Sequence, residues 1–419
     1  MRTTIFFLLL VSSLICPTQL LEAQWVRTNT PETASPPWFE ALITSGNNLF
    51  AGTWYFGFFL STDHGLSWTS RDSGLTDHYV MSLGKSIIDS DTTIFAGTYG
   101  TGVFRTTNNG ITWTPANSGL PVYNDGSGQF LTVQSILSFG NKVFAATYGQ
   151  GVYSSTDAGD HWIASNHGIA NSKVWSLAIK DTLIFANAGG LFRTNNYGQS
   201  WDSVAPWSGE SIIVVGNRII AGSEAVVFIS TDDGTSWVPS NGTGWSVRTL
   251  FAIPDGNQNA KLLAGEQEGR VWLSTDLGMN WMPMSNGMDN YTTVNSFAII
   301  GEQLYAGCNG SIWTIPLADI TTSVNLQKNP AARHFSLGQN YPNPFNPTTT
   351  ISFSIPSQQF VSLKIYDMLG REVTTLVSTE LPQGYHSVQW NAENIPSGAY
   401  FYRLDAGTLK EVRSLVLLK

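Results

Sequence analysis

Seven carboxylates in this chain stand in segments that do not repeat, close to aromatic or amide side chains: Asp77, Asp125, Glu210, Glu224, Glu266, Glu268 and Asp289. Two carboxyl groups about 5–10 Å apart, one with a raised pKa, can cleave a glycosidic bond. Flat rings lie in the same segments, at Trp54, Tyr55, Tyr79, Tyr99, Tyr148, Trp245 and Tyr291, with one guanidinium at Arg248. Such rings offer broad apolar faces with a polar edge. Other chemistries lack their residues. The six histidines are scattered without metal-ligand spacing. No phosphate-cradling Gly-rich motif precedes a helix pattern, and strings such as GTYGTG read as tight turns. No metal and no cofactor is expected.

The elements that must position these side chains form a repeat. The phrase STDHGLSW ends at Trp68 and returns as TTNNGITW at Trp113, STDAGDHW at Trp162, TNNYGQSW at Trp201, STDDGTSW at Trp237 and STDLGMNW at Trp281. The tryptophans are spaced by 45, 49, 39, 36 and 44 residues. A period near 40 with several short strands per unit predicts a β-propeller. Each unit runs through a strand such as VWSLAIK, a small-residue strand such as LFAGT, a third such as GVFRT, and the phrase, whose Trp opens a fourth. The Ala-Gly pairs suit inner strands, where neighbouring sheets approach closely. Within the phrase, Asp or Asn caps backbone N–H groups and Gly takes a positive φ. Asp63, Asp157, Asp232 and Asp276 are therefore read as structural acids.

These phrases are the Asp-box motif, and residues 24–317 resemble the Asp-box propellers: sialidases, xyloglucanase-type glycosidases, sortilin-type receptors and photosystem assembly factors. The resemblance implies a β-propeller whose boxes lie on the face away from the ligand. The segment LYAGCNGSIWTIPL at 304–317 repeats the second and third strands a seventh time without a box. Gln24-Trp25-Val26-Arg27 reads as the missing fourth strand. Seven blades, closed by the N-terminal strand so that no edge is left open, are expected.

The face opposite the boxes would be built from loops joining second to third strands and from loops joining one blade to the next. Loops on a rigid scaffold commonly carry binding. The ligand-binding candidates there are Trp54, Tyr55, Tyr79, Tyr99, Asp125, Tyr148, Glu224, Trp245, Arg248, Glu266, Glu268 and Tyr291. No catalytic residue is assigned. A sialidase would need an Arg-Ile-Pro motif and an arginine triad, and no Arg-Ile-Pro occurs.

Residues 1–23 read as a signal peptide, with Arg2, an apolar run to Ile15, and Ala23 at the cut. Cys308 then remains alone, so no internal disulfide is expected. No later run is apolar for about 18 residues, so no membrane span is expected. The formal charge is −9. Residues 24–317 hold 12 basic and 22 acidic residues, giving −10, whereas 335–419 hold 6 of each. An acidic chain without a basic stripe argues against nucleic acid as a partner.

Residues 318–334 read as a linker, and 335–419, with short alternating strands and Pro/Gly turns, as a small Ig-like sandwich. Tyr341-Pro342-Asn343-Pro344-Phe345, Tyr366-Asp367 with Leu369-Gly370-Arg371, Ser397-Gly398 with Tyr400, and Lys419 resemble the C-terminal sorting domain of type IX secretion cargo. That resemblance implies Sec export, passage through the type IX machinery as partner, and release or attachment at the outer cell surface. The expectation is an all-β, secreted or surface-displayed binding protein for a polysaccharide or surface protein. The alternative is an extracellular glycoside hydrolase of xyloglucanase or sialidase type.

Overall fold

The structure is a computed structural model that describes residues 24–88, 91–122, 128–169, 173–223, 226–240, 246–254, 260–267, 269–289, 292–320, 335–340 and 343–418. The expected signal peptide and residues 321–334 of the expected linker lie outside the described residues. Among the described residues, 24–320 contain seven four-stranded antiparallel sheets. Six are simple meanders. The first holds Trp38–Ser45, Asn48–Trp54, Gly57–Ser61 and Thr69–Ser70. The seventh combines Val294–Ile300, Gln303–Cys308 and Ser311–Pro316 with Val26–Arg27, where Val26 pairs with Thr314 and Arg27 with Trp313. The first strand of every sheet touches that of the next, and sheet seven touches sheet one, so the sheets close into a ring.

The small-residue second strands are the tightest part of this ring. A Cβ on Gly52 would lie 2.6 Å from Val80 Cγ1, and one on Gly222 2.6 Å from Val247 Cγ1. Each of these valines opens the first strand of the next sheet. Only glycine admits that approach. Around these contacts Phe50, Phe95, Phe144 and Phe185 are fully buried between sheets.

The repeated phrase folds the same way six times. In the first copy the Ser61 hydroxyl donates to Asp63 Oδ1 at 2.8 Å and accepts the Gly65 N–H at 2.7 Å, while Asp63 Oδ1 accepts the Ser67 N–H at 2.9 Å. The Thr106–Asn108 and Thr194–Asn196 copies keep this pattern with an amide oxygen. The residue before each glycine also sits at positive φ, from His64 at 60° to Leu277 at 59°. The Asx cap supplies local hydrogen bonds that hold this backbone.

Three of the tryptophans that close the phrases tie one sheet to the one before it, whereas Trp237 Nε1 donates to Gly234 O of its own phrase. Trp113 Nε1 donates to Arg71 O, Trp162 Nε1 to Ala116 O and Trp201 Nε1 to Ser165 O, at 2.7–2.8 Å. Trp25 does the same to Met284 O at 2.7 Å. Trp281 Nε1 is buried without a partner.

Leu317–Ile320 form one helical turn, with Ile320 buried in the sheet-seven core. Beyond it lie a three-stranded sheet, Ser336–Leu337, Thr348–Ile355 and Gly384–Asn391, and a four-stranded sheet, Glu372–Leu381, Gln359–Tyr366, Gly398–Ala406 and Leu409–Leu417. Both contribute to one core that includes Ile351, Phe353, Val361, Leu363 and Tyr402. Among the described residues no helix is long and apolar enough to cross a membrane.

Candidate functional site

In a four-strand meander the turn between second and third strands and the link to the next sheet lie at the end opposite the repeated phrases. At that end, between sheets one and two, four rings gather. Trp54 lies 5.8 Å from Tyr55, 5.1 Å from Tyr79 and 5.4 Å from Tyr99, all edge to face. Tyr55 and Tyr79 are 4.8 Å apart. Trp54 ends the second strand of sheet one and Tyr55 opens the turn after it, Tyr79 comes from the link to sheet two, and Tyr99 from the corresponding turn of sheet two. Trp38, paired with Trp54 across the first two strands, extends the same edge and is 46% exposed.

Two features separate this cluster from ordinary packing. Tyr55 and Tyr99 are 55% and 50% exposed, although rings of this size are normally covered. Tyr55 also holds φ at 82°, in the left-handed region that costs a bulky residue of order 1–3 kcal/mol. Asp77 fixes the loops beneath the rings. Its Oδ1 accepts the Tyr79 N–H at 2.9 Å and its Oδ2 the Gly100 N–H at 3.0 Å. Asp77 is thus occupied as a cap rather than presented as a free carboxylate.

The first strands carry a second cluster. Five of them are interrupted near their start by a register shift that skips one residue: Glu40, Met81, Gln134, Arg248 and Asn295. Trp175 and Glu210 stand at the same place, just before the serine that opens the first strand of sheets four and five. A bulge re-aims the side chain of its extra residue. Arg248 Nη1 meets Glu210 Oε2 at 2.6 Å, and its Nη2 meets Glu40 Oε2 at 3.4 Å. Sheets six and one are not neighbours in the ring, so a contact between them lies inside it, toward the axis. Burial holds the Glu40 carboxyl above the usual range despite the opposing pull of Arg248. Burial lowers Arg248, but its two carboxylates outweigh that and raise it.

The remaining sequence candidates are scattered. Tyr148 packs edge-on against Trp175 at 5.2 Å, with Lys173 Nζ 4.5 Å over its ring. Arg248 lies within the strand Val247–Ile253 rather than in a loop. Glu266 ends a second strand, has a side chain 2% exposed, and accepts the Trp272 indole N–H at 3.0 Å. It is a buried structural acid, because a strand end closes over it where a loop was expected. Asp125, Glu224, Trp245, Glu268 and Tyr291 lie outside the described residues. Glu40 and Trp38 were missed. The bulge slot could have been found by aligning Phe39-Glu40-Ala41 with Val247-Arg248-Thr249 and Val294-Asn295-Ser296. A cavity of about 90 Å³ beside Glu210 is bounded by Trp175, Gly209, Ser223 and Ser246.

Residues 339–418 match the family described as the secretion system C-terminal sorting domain. No curated protein matches the chain. A solved structure of YCF48 bound to D1 peptide is 12% identical, with a TM-score of 0.53 over 70% of this chain and 95% of that one. The GH74 xyloglucanase from Xanthomonas campestris is 15% identical, with a TM-score of 0.52 over 85% of this chain and 59% of that one. PorZ of Porphyromonas gingivalis, described as an essential bacterial surface component of the type-IX secretion system, is 15% identical with a TM-score of 0.49. The chain spans 61% of the length of PorZ, and the alignment covers 93% of this chain. The first two likenesses establish a β-propeller fold and nothing about ligand or activity. The tail is a type IX sorting domain, and it directs the protein to secretion and attachment at the outer cell surface.

Proposed function

We propose that the chain is a surface-displayed glycan-binding propeller. In this reading residues 24–317 form a seven-bladed Asp-box propeller closed by the N-terminal strand. Residues 1–23 are the signal peptide, 318–334 a linker, and 335–419 an Ig-like sorting domain that engages the type IX machinery after Sec export. The observation that carries the reading is the Trp54–Tyr55–Tyr79–Tyr99 rim, with two rings half exposed and one on a strained backbone. Strain of this kind persists where the surroundings impose it, commonly at ligand sites. Flat rings in a polar setting suit the faces of sugar rings, while amides and carboxylates bond their hydroxyls. Asp125, Glu224, Trp245, Glu268 and Tyr291 belong to the same proposed face.

A polysaccharide array probed with the mature protein tests this. The expected result is retention on at least one polysaccharide class. Retention only on an envelope protein, with every glycan silent, overturns the glycan reading in favour of a protein ligand.

A second reading, a glycoside hydrolase, is favoured by one observation. Glu40 and Glu210 share the guanidinium of Arg248, and Glu40 is held above the usual carboxylate range. Environments that separate two carboxyl groups assign acid and base roles in glycosidases. Hydrolysis of a polysaccharide panel, lost in both Glu40→Gln and Glu210→Gln, would establish it. No release of reducing sugar across the panel leaves binding as the function.

A further inference from the structure

The charge arrangement at the rim end of the ring deepens the glycan reading and rests on it. Of the seven bulge-slot residues, only Glu40, Glu210 and Arg248 are charged, and together they leave one net negative charge. Arg248 is claimed by both carboxylates. Of the other described cations near this end, Arg270 lies 3.4 Å from Glu266, Lys173 sits over the Tyr148 ring, and Arg27 donates to Gly310 O at 3.0 Å.

We infer that this face selects uncharged, polyhydroxylated chains, meaning neutral glycans, and rejects those that carry carboxylate or sulfate groups. A hydroxyl can donate to the spare lone pairs of Glu40 and Glu210 and accept from the unused N–H groups of Arg248, which has five donors in all. A carboxylate can only accept. It must approach a net negative cluster in a partly desolvated mouth, where charges interact more strongly than in water. The acidic balance of residues 24–317 adds to this repulsion.

The test measures binding of the full mature chain to neutral probes (β-1,4-gluco- and manno-oligosaccharides, laminarin) and acidic ones (polygalacturonate, alginate, a sulfated galactan). The variants are Glu210→Gln and the double variant Glu40→Gln/Glu210→Gln, each checked for an unchanged melting transition. The parent is expected to prefer its best neutral probe over every acidic one by tenfold or more. The double variant, which frees the Arg248 charge, is expected to shrink that preference at least tenfold. Glu210→Gln should move it in the same direction, and serves if the double variant does not fold. Acidic probes bound as tightly as neutral ones by the parent overturn the inference and leave the glycan reading intact. An unchanged ratio in a folded variant does the same. Silence of all probes overturns the glycan reading, and this inference with it.

Discussion

The Trp25 indole donates to the carbonyl of Met284 at 2.7 Å, joining two residues 259 positions apart. Trp113, Trp162 and Trp201 make the equivalent bond to the preceding sheet across 36–46 residues. Trp25 therefore joins these latch tryptophans, although no copy of the repeated phrase precedes it. The ring is closed by the same device that spaces its interior.

Replacing Trp25 with Ala is expected to cost about 3–5 kcal/mol, the usual loss for a buried large aromatic. Trp25→Phe, which keeps most of the ring but leaves Met284 O without its donor, should cost about 1–3 kcal/mol. Urea unfolding of the three proteins measures both. Equal stability of Trp25→Ala and the parent would show that the closure contributes nothing.

Gly119 sits at φ +87°, and a Cβ there would lie 2.0 Å from Trp162 O. Gly149 is at φ +121° with nothing within 4 Å of that Cβ. Gly149→Ala should cost about 1 kcal/mol from backbone strain alone. Gly119→Ala should cost several-fold more, because a backbone carbonyl must also move. Thermal unfolding of the pair separates conformational strain from steric clash.

Asp63 is pulled down to about 2 by hydrogen bonds from the Ser67 hydroxyl and backbone, with Ser61 adding to them. Asp157 is lowered by the Ser155 hydroxyl and the His161 N–H. An unfolded aspartate titrates near 3.9. The folded pKa lies below the unfolded one, so this stability is present above about pH 4. It is lost as pH falls from there toward 2. Asp63→Asn should flatten that acid slope by losing this part of the stability at neutral pH, while the turn itself persists, because Asn108 and Asn196 already serve two copies of it. Denaturation midpoints at pH 2, 3, 4 and 7 give the comparison.

Removing residues 335–419 should leave the propeller inside the cell envelope. Fractionation with immunodetection is the measurement. Appearance at the cell surface or in the medium at the parental level would contradict a sorting role for the tail.

The repeated turns were readable in residue order because each is made by eight consecutive residues that bond to one another. The inner glycines were readable for a similar reason: their neighbours recur at a fixed spacing. The rim aromatics could be placed on one end because a meander alternates its turns. The fate of the acids could not be read this way. Asp77 and Glu266 look like free loop carboxylates until Tyr79, Gly100 and Trp272 are seen to occupy them. Glu40 meets Arg248 only because the ring closes, a contact across 208 residues that no local pattern carries. Turns that follow some fourth strands were also written in the chain, as Asp72-Ser73-Gly74-Leu75 and Asn117-Ser118-Gly119-Leu120. They went unread because their partner is the next tryptophan's backbone: Trp113 N–H donates to Ser73 O and Trp162 N–H to Ser118 O.

Tyr55→Gly tests the central claim most directly, since glycine accepts φ 82° freely and removes only the ring. A ring kept for ligand should be lost without structural damage. Stability within about 1 kcal/mol of the parent is expected. Affinity for the best-bound polysaccharide should fall tenfold or more, equivalent to about 1.4 kcal/mol. Parental affinity together with a stability loss of about 3 kcal/mol or more, as for a core aromatic, would contradict it.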